Sequence, residues 1–279
     1  MLGHMLFAEL LRRGLDVWGS ARTPFACKPE WRERLRFGLD ACDPATVTEV
    51  VSALEPDVLI NAVGLVRQLP EGRLPLPCLM VNAVFPWRLQ ELCTQRGIRL
   101  IHYSTDCVFD GRKGSPYVEE DAPTATDIYG RSKFLGEVAA ENALTIRTSI
   151  IGPELRGRHS LLEWFLAQEG PVSGYTGAIY SGLPTSEQAR VLAGHVLPHA
   201  GLRGLYQVSA APISKYELLR LFNEAYHKGV SITPRSVPQE DKRLSGEKFR
   251  QATGYVAPAW PELVEAMRRA HENNATDFS

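Results

Sequence analysis

Ile101-His102-Tyr103-Ser104-Thr105-Asp106-Cys107-Val108-Phe109-Asp110-Gly111, followed by Tyr129-Gly130-Arg131-Ser132-Lys133, is the stretch that decides how this chain reads. The first run continues an apolar segment from Arg99 and ends in Ser-Thr-Asp, the signature of a buried strand stopping at a sheet edge. The second run lies on a helix expected over Tyr129 to Glu141, where Tyr129 and Lys133 share one face. A phenol titrates near ~10 and is a poor acid or base at neutral pH. A cation beside it stabilises phenolate and brings it into range, so Lys133 would tune Tyr129. Open parallel sheets bind ligands at the carboxyl ends of their strands, where Thr105 could hold a carbonyl oxygen next to Tyr129. A Tyr-x-x-x-Lys pair alone arises by chance in many helices. The preceding strand end and the surrounding α/β rhythm give this one its weight.

That rhythm runs through the first half. Met5 to Arg13 reads as an amphipathic helix ended by Gly14, and Leu15 to Ser20 as a buried strand. Asp43 is placed to cap a helix that opens at Pro44 and runs to about Leu54. Val58 to Asn61 is a strand, Leu79 to Arg96 a long helix stopped by Gly97, and Leu144 to Ile151 a further strand. Near-continuous apolar strands alternating with helices predict an α/β, Rossmann-type, doubly wound parallel sheet. After Gly152 the pattern becomes helices between Gly- and Pro-rich loops, with helices expected over Leu161–Gln168, Ser186–His199 and Ser214–Tyr226 and a strand at Leu205–Ser209. Residues 1–152 are therefore read as a nucleotide-binding domain, and 153–279 as mainly a smaller substrate-binding lobe with segments returning to the first. The end, from about Glu272, is expected to fray.

With 44 % hydrophobic and 23 % charged residues the chain is ordinary globular material, which sets aside disorder. A net charge of −1 offers no electrostatic case for nucleic acid or an anionic membrane. Arg32, Arg34 and Arg36 are read as the solvated face of a short helix. The five cysteines (Cys27, Cys42, Cys78, Cys93, Cys107) are odd in number and unpaired in spacing, so free thiols in the cytoplasm are expected and no metal site. No apolar run has the length of a membrane span.

The strand after Leu15 ends Gly19-Ser20-Ala21-Arg22. Dinucleotide folds selective for NAD carry an acid at that point for the ribose 2′-hydroxyl. Here Ser20 and Arg22 suit a 2′-phosphate instead, which favours NADPH while leaving NADH open.

STDCVFDG, YGRSK and RTSIIG together resemble the extended short-chain dehydrogenases, and specifically the dTDP-4-dehydrorhamnose reductase group. MLGHML, Gly38-Leu39-Asp40-Ala41, PDVLINAVG, VNAVFPWRLQELC, GLYQVSA and PISKYELL carry the resemblance along nearly the whole chain. It implies NADPH- or NADH-dependent reduction of a 4-keto group on a nucleotide-linked 6-deoxyhexose. Tyr129 would donate the proton, Lys133 would tune it and grip the ribose, and Thr105 would orient the ketone. Asp40 and Ala41 would lie near adenine. Ala62, Val63, Gly64 and Tyr103 would line the cofactor cleft, and Asp106 and Cys107 would face the substrate. The resemblance also allows a homodimer and implies a role in polysaccharide precursor synthesis.

The chain departs from that pattern in places. Gly3 matches only the last glycine of G-x-x-G-x-x-G, and no strand precedes it. The expectation is a start roughly ten residues upstream, with Met1 internal, because a missing central strand would leave two strand edges unpaired. A chain that lacks the strand is the alternative. Cys107 stands where the group commonly has tyrosine and Ile150 where it often has tryptophan, so the sugar is left open between related 4-keto-6-deoxyhexoses. Arg67, Arg147 and Arg156 are candidates for a substrate diphosphate, against salt-bridge or solvent roles. An epimerase or dehydratase on the same scaffold would want a second carboxylate beside Asp106, where Cys107 stands. A non-catalytic NADP-binding regulatory subunit is the reading outside catalysis.

Overall fold

The computed structural model describes residues 1–278. Helix α1 (Leu2–Arg12) opens the chain, with Leu2, Met5, Leu6 and Leu10 buried on one face at the three- and four-residue spacing of a core-facing helix. The apolar run after it forms only a short strand, β1 (Gly19–Ala21), not the longer one expected from Leu15. Leu15 and Trp18 remain exposed. β1 pairs in parallel with β2 (Leu35–Phe37), Gly19 opposite Leu35. The basic cluster is thus split. Arg32 ends a single helical turn, while Arg34 and Arg36 flank and enter the strand and stack over the Trp18 ring at 5.1 and 4.4 Å. The ladder with β1 holds that segment as a strand, and the two cations over one indole add to it.

The main sheet holds β3 (Val58–Asn61), β4 (Arg99–Thr105), β5 (Ala143–Thr148) and the strand Gly204–Gln207, in the order Gly204–Gln207, β5, β4, β3, all parallel. β4 is central and almost wholly buried, with Leu100, Ile101 and His102 at 0 % exposure. This follows from a strand covered on both faces. Asp43 caps the Pro44–Leu54 helix by accepting from the Ala45 amide, as its sequence announces.

Two helices of the first half differ from expectation, and the one expected over Ser186–His199 is an α-helix only over Thr185–Val191, followed by a π turn, Leu192–Val196. The run read as one helix from Leu79 begins with a π turn, Leu79–Val84, before the α-helix Phe85–Arg96. The helix bearing Tyr129 spans Ile128–Leu135 and stops short of Glu141. Glu137 instead turns toward the sheet, where its carboxylate meets Arg147.

The sheets β1–β2 and β3–β4–β5 are not joined. A cavity of about 560 Å³ separates them, lined by Ser20 and Ala21 on one side and Ile60 and Ala62 on the other. The carboxyl-terminal helix Trp260–Asp277 packs back onto the body and does not fray at Glu272. Asp277 is buried and ion-paired to both Arg12 and Lys28, and Phe278 packs its ring against His4, Phe25 and Trp31. No helix of the described residues is long and apolar enough to cross a membrane.

One core cluster draws on the sheet through Ile101, Leu144 and Ile146, and on the lobe, meaning the part of the chain after Gly152, through Phe165, Leu183 and Phe222. Phe165 is fully buried with its ring centroid 6.1 Å from that of Phe222. Phe165→Ala should therefore cost about 3–5 kcal/mol and destabilise sheet and lobe together. Urea titration followed by far-UV dichroism and by tryptophan fluorescence checks this, and separate midpoints from the two probes would contradict it.

Candidate active site

Thr105 ends β4, and its hydroxyl accepts from the Cys107 amide at 3.2 Å, turning the chain into a single 3-10 turn, Asp106–Val108. The Ile128–Leu135 helix starts beside this turn, capped by the Asp127 carboxylate, which accepts from Gly130 N at 2.8 Å. A Cβ on residue 130 would stand 2.2 Å from the Cys107 carbonyl oxygen, so only glycine lets the helix come this close. Thr105, Asp106, Cys107 and Tyr129 are brought together as a result. Burial, and next the nearby Cys107, push the Tyr129 phenol up, with Thr105 and Arg67 working against them. The phenol therefore holds its proton at neutral pH.

Lys133 lies one turn further on, 5 % exposed, and its Nζ donates to the Tyr103 carbonyl at 2.7 Å. Burial lowers its ammonium to about 8, with the Glu137 carboxylate opposing. Glu137 itself is held by Arg147 through two bonds of 2.7 Å and accepts from the Ser104 hydroxyl at 2.7 Å. Arg147 is thus a buried ion-pair partner lying over the Phe109 ring, and is not free for a diphosphate. Arg67 lies half-exposed at 3.9 Å from Asp127, while Arg156 donates to the Pro24 carbonyl and lines the cavity between the two sheets. Burial pushes the Asp106 carboxyl up, and Lys242 beside it pulls the other way. The Cys107 thiol is pushed up to about 12 by burial and then by Asp106, which makes it a poor nucleophile. His102 is buried against Asn61, its Nδ1 3.0 Å from the amide nitrogen, and burial keeps it neutral.

Six of the residues suggested for a cofactor, Gly3, Ser20, Arg22, Ala62, Val63 and Gly64, line the same 560 Å³ cavity. The first turn of α1 borders it without a side-chain cap, so its amide groups suit a phosphate. A Cβ on residue 64 would stand in ordinary contact, 3.4 Å from Asn82 Oδ1 and 3.8 Å from Lys133 Nζ, so Gly64 brings the cavity up to the lysine. These features fit a dinucleotide. Asp40, Ala41 and Tyr103, also suggested for the cofactor, are not part of this lining, nor is Ile150, suggested for the substrate. The Asp40 carboxylate accepts from the Cys42 amide, Ala41 packs with Val47 and Val51, and the Tyr103 ring joins the core. Ile150 pairs with Leu183.

Three residues escaped the sequence reading. Asn82, fully buried in the π turn, accepts from Leu65 N at 2.9 Å and donates to Leu65 O and the Ser132 hydroxyl, tying the loop after β3 to the helix of Lys133. A π turn interrupting a helix often marks a functional position, but its sequence reads as ordinary helix. Lys242 arrives from the lobe, 2.6 Å from Glu240, to face Asp106. Glu137 looks like a surface residue of a longer helix until Arg147 is placed.

The architecture and the grouping at the end of β4 define a Rossmann-type α/β protein with a Tyr–Lys pair at its ligand edge. Residues 1–160 match the family described as the RmlD substrate binding domain, and the chain belongs to that family. It is 26 % identical over 252 residues to the dTDP-4-dehydrorhamnose reductase of Salmonella typhimurium, covering 82 % of this chain and 84 % of that one. It is 34 % identical over 127 residues to a dTDP-4-keto-6-deoxy-D-glucose reductase of Streptomyces niveus, covering 45 % and 44 %. Among solved structures, dTDP-4-dehydrorhamnose reductase from Bacillus anthracis in complex with NADP superposes with TM-score 0.79 at 20 % identity, covering 96 % and 95 %. UDP-glucose 4-epimerase from Thermus thermophilus with NAD gives TM-score 0.79 at 18 % identity, covering 99 % and 96 %.

Glu137→Gln would leave Arg147 buried without its anion and should lower stability by about 3–5 kcal/mol. It should also move Lys133 below its titration near about 8, because a stabilising negative charge is lost. Urea denaturation and NMR of labelled lysine report the two effects. A variant as stable as the parent would show that the ion pair is not holding this corner.

Proposed function

We propose that this chain reduces the 4-keto group of a nucleotide-linked 4-keto-6-deoxyhexose with NADPH. The observation that carries the reading is the Tyr129 phenol beside the Thr105 hydroxyl at the carboxyl end of β4, with Lys133 one turn along the same helix and close to Gly64 of a cavity fit for a dinucleotide. The relatives named dTDP-4-dehydrorhamnose reductase and the related structure holding NADP support the choice of substrate class and cofactor. Ser20 and Arg22 beside the cavity favour the 2′-phosphorylated form.

NADPH, when bound, supplies the hydride. The chain's own residues manage the proton. The Thr105 hydroxyl holds the ketone oxygen, and the Tyr129 hydroxyl gives that oxygen its proton as it becomes an alcohol. The resulting phenolate needs a neighbouring cation, and the Lys133 ammonium supplies it. A phenol raised by burial stays protonated until it is called on, which suits a donor in the reducing direction.

The test is NADPH oxidation followed by absorbance with a freshly generated dTDP-4-keto-6-deoxyhexose. Tyr129→Phe should lower turnover by ~10²–10⁴-fold and leave NADPH binding intact. An unchanged rate in this variant, or no turnover by a chain that binds both ligands, would refute the proposal. The pH profile follows from Lys133. Its charge is present below about 8 and lost above it, so kcat/KM should fall as pH rises through about 8. A profile level across that range would remove Lys133 from the acid–base chain.

A further inference from the structure

We propose that Arg156 is a second ligand for the adenosine 2′-phosphate of the cofactor, closing on it from the lobe opposite Arg22. The inference rests on the cofactor reading above and adds a residue to it.

The cavity between the two sheets has two polar sides. One comes from the exit of β1, with Ser20, Arg22 and Thr23. The other is the turn between Ile151 and the Leu161–Leu166 helix, with Arg156 and His159. Arg156 Nη2 donates to the Pro24 carbonyl at 2.6 Å, just beyond Arg22 and Thr23. The guanidinium is thereby fixed on the peptide that follows the 2′-phosphate residues. A guanidinium has five donor hydrogens, and this bond uses one.

Among the described residues neither Arg22 nor Arg156 takes part in an ion pair. The carboxylate on that side, Glu154, also lines the cavity, but its oxygens are occupied within its own turn. It accepts from Ser160 N at 2.6 Å and His159 N at 3.2 Å and so shapes the turn. Gly157 sits in the same turn at φ +94°, a backbone state that L side chains avoid. The turn is thus built to present Arg156, and two unpaired guanidinium groups border one cavity.

Two cations around one site call for a dianion. A ribose 2′-phosphate carries between one and a half and two negative charges at neutral pH, by analogy with other phosphomonoesters, whereas each phosphate of the pyrophosphate carries about one. The amides at the start of α1 serve the pyrophosphate end of the cavity. The arginines stand at the β1 exit, where a 2′-phosphate binds in such sheets.

The experiment compares NADPH and NADH binding to the full chain by nicotinamide fluorescence, for the parent, Arg156→Ala, Arg156→Lys and Arg22→Ala. Calorimetry with adenosine 2′,5′-bisphosphate and with AMP provides a readout without the nicotinamide. Arg156→Ala should weaken NADPH and the bisphosphate roughly tenfold and leave NADH and AMP unchanged, with Arg156→Lys recovering part of the loss. Equal weakening of both members of each pair would assign Arg156 to another part of the ligand, and no weakening would assign it to solvent; either overturns the inference. If the parent binds none of the four ligands, the cofactor reading itself falls. If the parent binds NADPH and Arg22→Ala weakens it while Arg156→Ala does not, only this inference falls.

Discussion

Everything at the candidate active site depends on one close approach, the backbone of Gly130 against the carbonyl of Cys107. β4 delivers Thr105 to the edge of the sheet, its backbone paired with β3 as far as His102 and with β5 through Thr105 itself. The helix of Tyr129 must come within contact distance of that edge, and a single Cβ at its second residue would prevent it. Asp127 then caps the helix through the amide of the same glycine. One residue therefore serves the packing and the cap, and the phenol, the threonine hydroxyl and the lysine follow from its position. The spacing of Tyr129 and Lys133 acquires chemical meaning only because this contact sets the helix on the strand.

The same corner carries an electrostatic cost. Lys133 is a cation in a nearly dry place, and burial draws its titration down to about 8. Its bond to the Tyr103 carbonyl and the charge of Glu137 oppose that pull. Glu137 in turn requires Arg147, since an unpaired buried carboxylate would be far more costly. The chain from Ser104 through Glu137 to Arg147 runs behind the candidate catalytic residues and links β4, the end of the helix and β5. Such a network holds positions more than it adds net stability, which is the best-supported use of buried ion pairs. Asn82 performs the neutral counterpart on the other side, clamping the loop after β3 to the helix.

Much of this was legible in the sequence because it is local. The capped helix at Asp43-Pro44, the apolar strand before Thr105 and the four-residue spacing of Tyr129 and Lys133 all depend on neighbours a turn or two away. The parts that were not legible depend on distant partners. Glu137 leaves the helical path for Arg147 on the next strand, and Lys242 crosses from the lobe to Asp106. The tail after Glu272 reads as polar and loose, yet Arg12 and Lys28 converge on Asp277, and three aromatic rings receive Phe278. Leu15 to Ser20 looks like a full buried strand by hydropathy alone. Among the described residues no strand joins β1 to the sheet of β3, and only Gly19–Ala21 finds a ladder, with β2.

That separation of the two sheets gives the ligand a larger structural part than it would have in a continuous sheet. Ser20 and Arg22 belong to the β1 side of the cavity, and Ala62, Val63 and Gly64 to the β3 side. No backbone ladder spans the space between them. The ties across it include the packing of α1, the bond from Arg156 to the Pro24 carbonyl, and the contacts of Asp277 with Lys28 and of Phe278 with Phe25 and Trp31. A dinucleotide that touches both sides would connect them directly, and any ligand bound only by the folded chain stabilises it in proportion to the logarithm of its concentration over Kd. Cofactor affinity and the relative placement of the two sheets are then a single coupled quantity. On the reading proposed above, residues that would grip phosphate would also help to hold β1 against the sheet that carries Thr105.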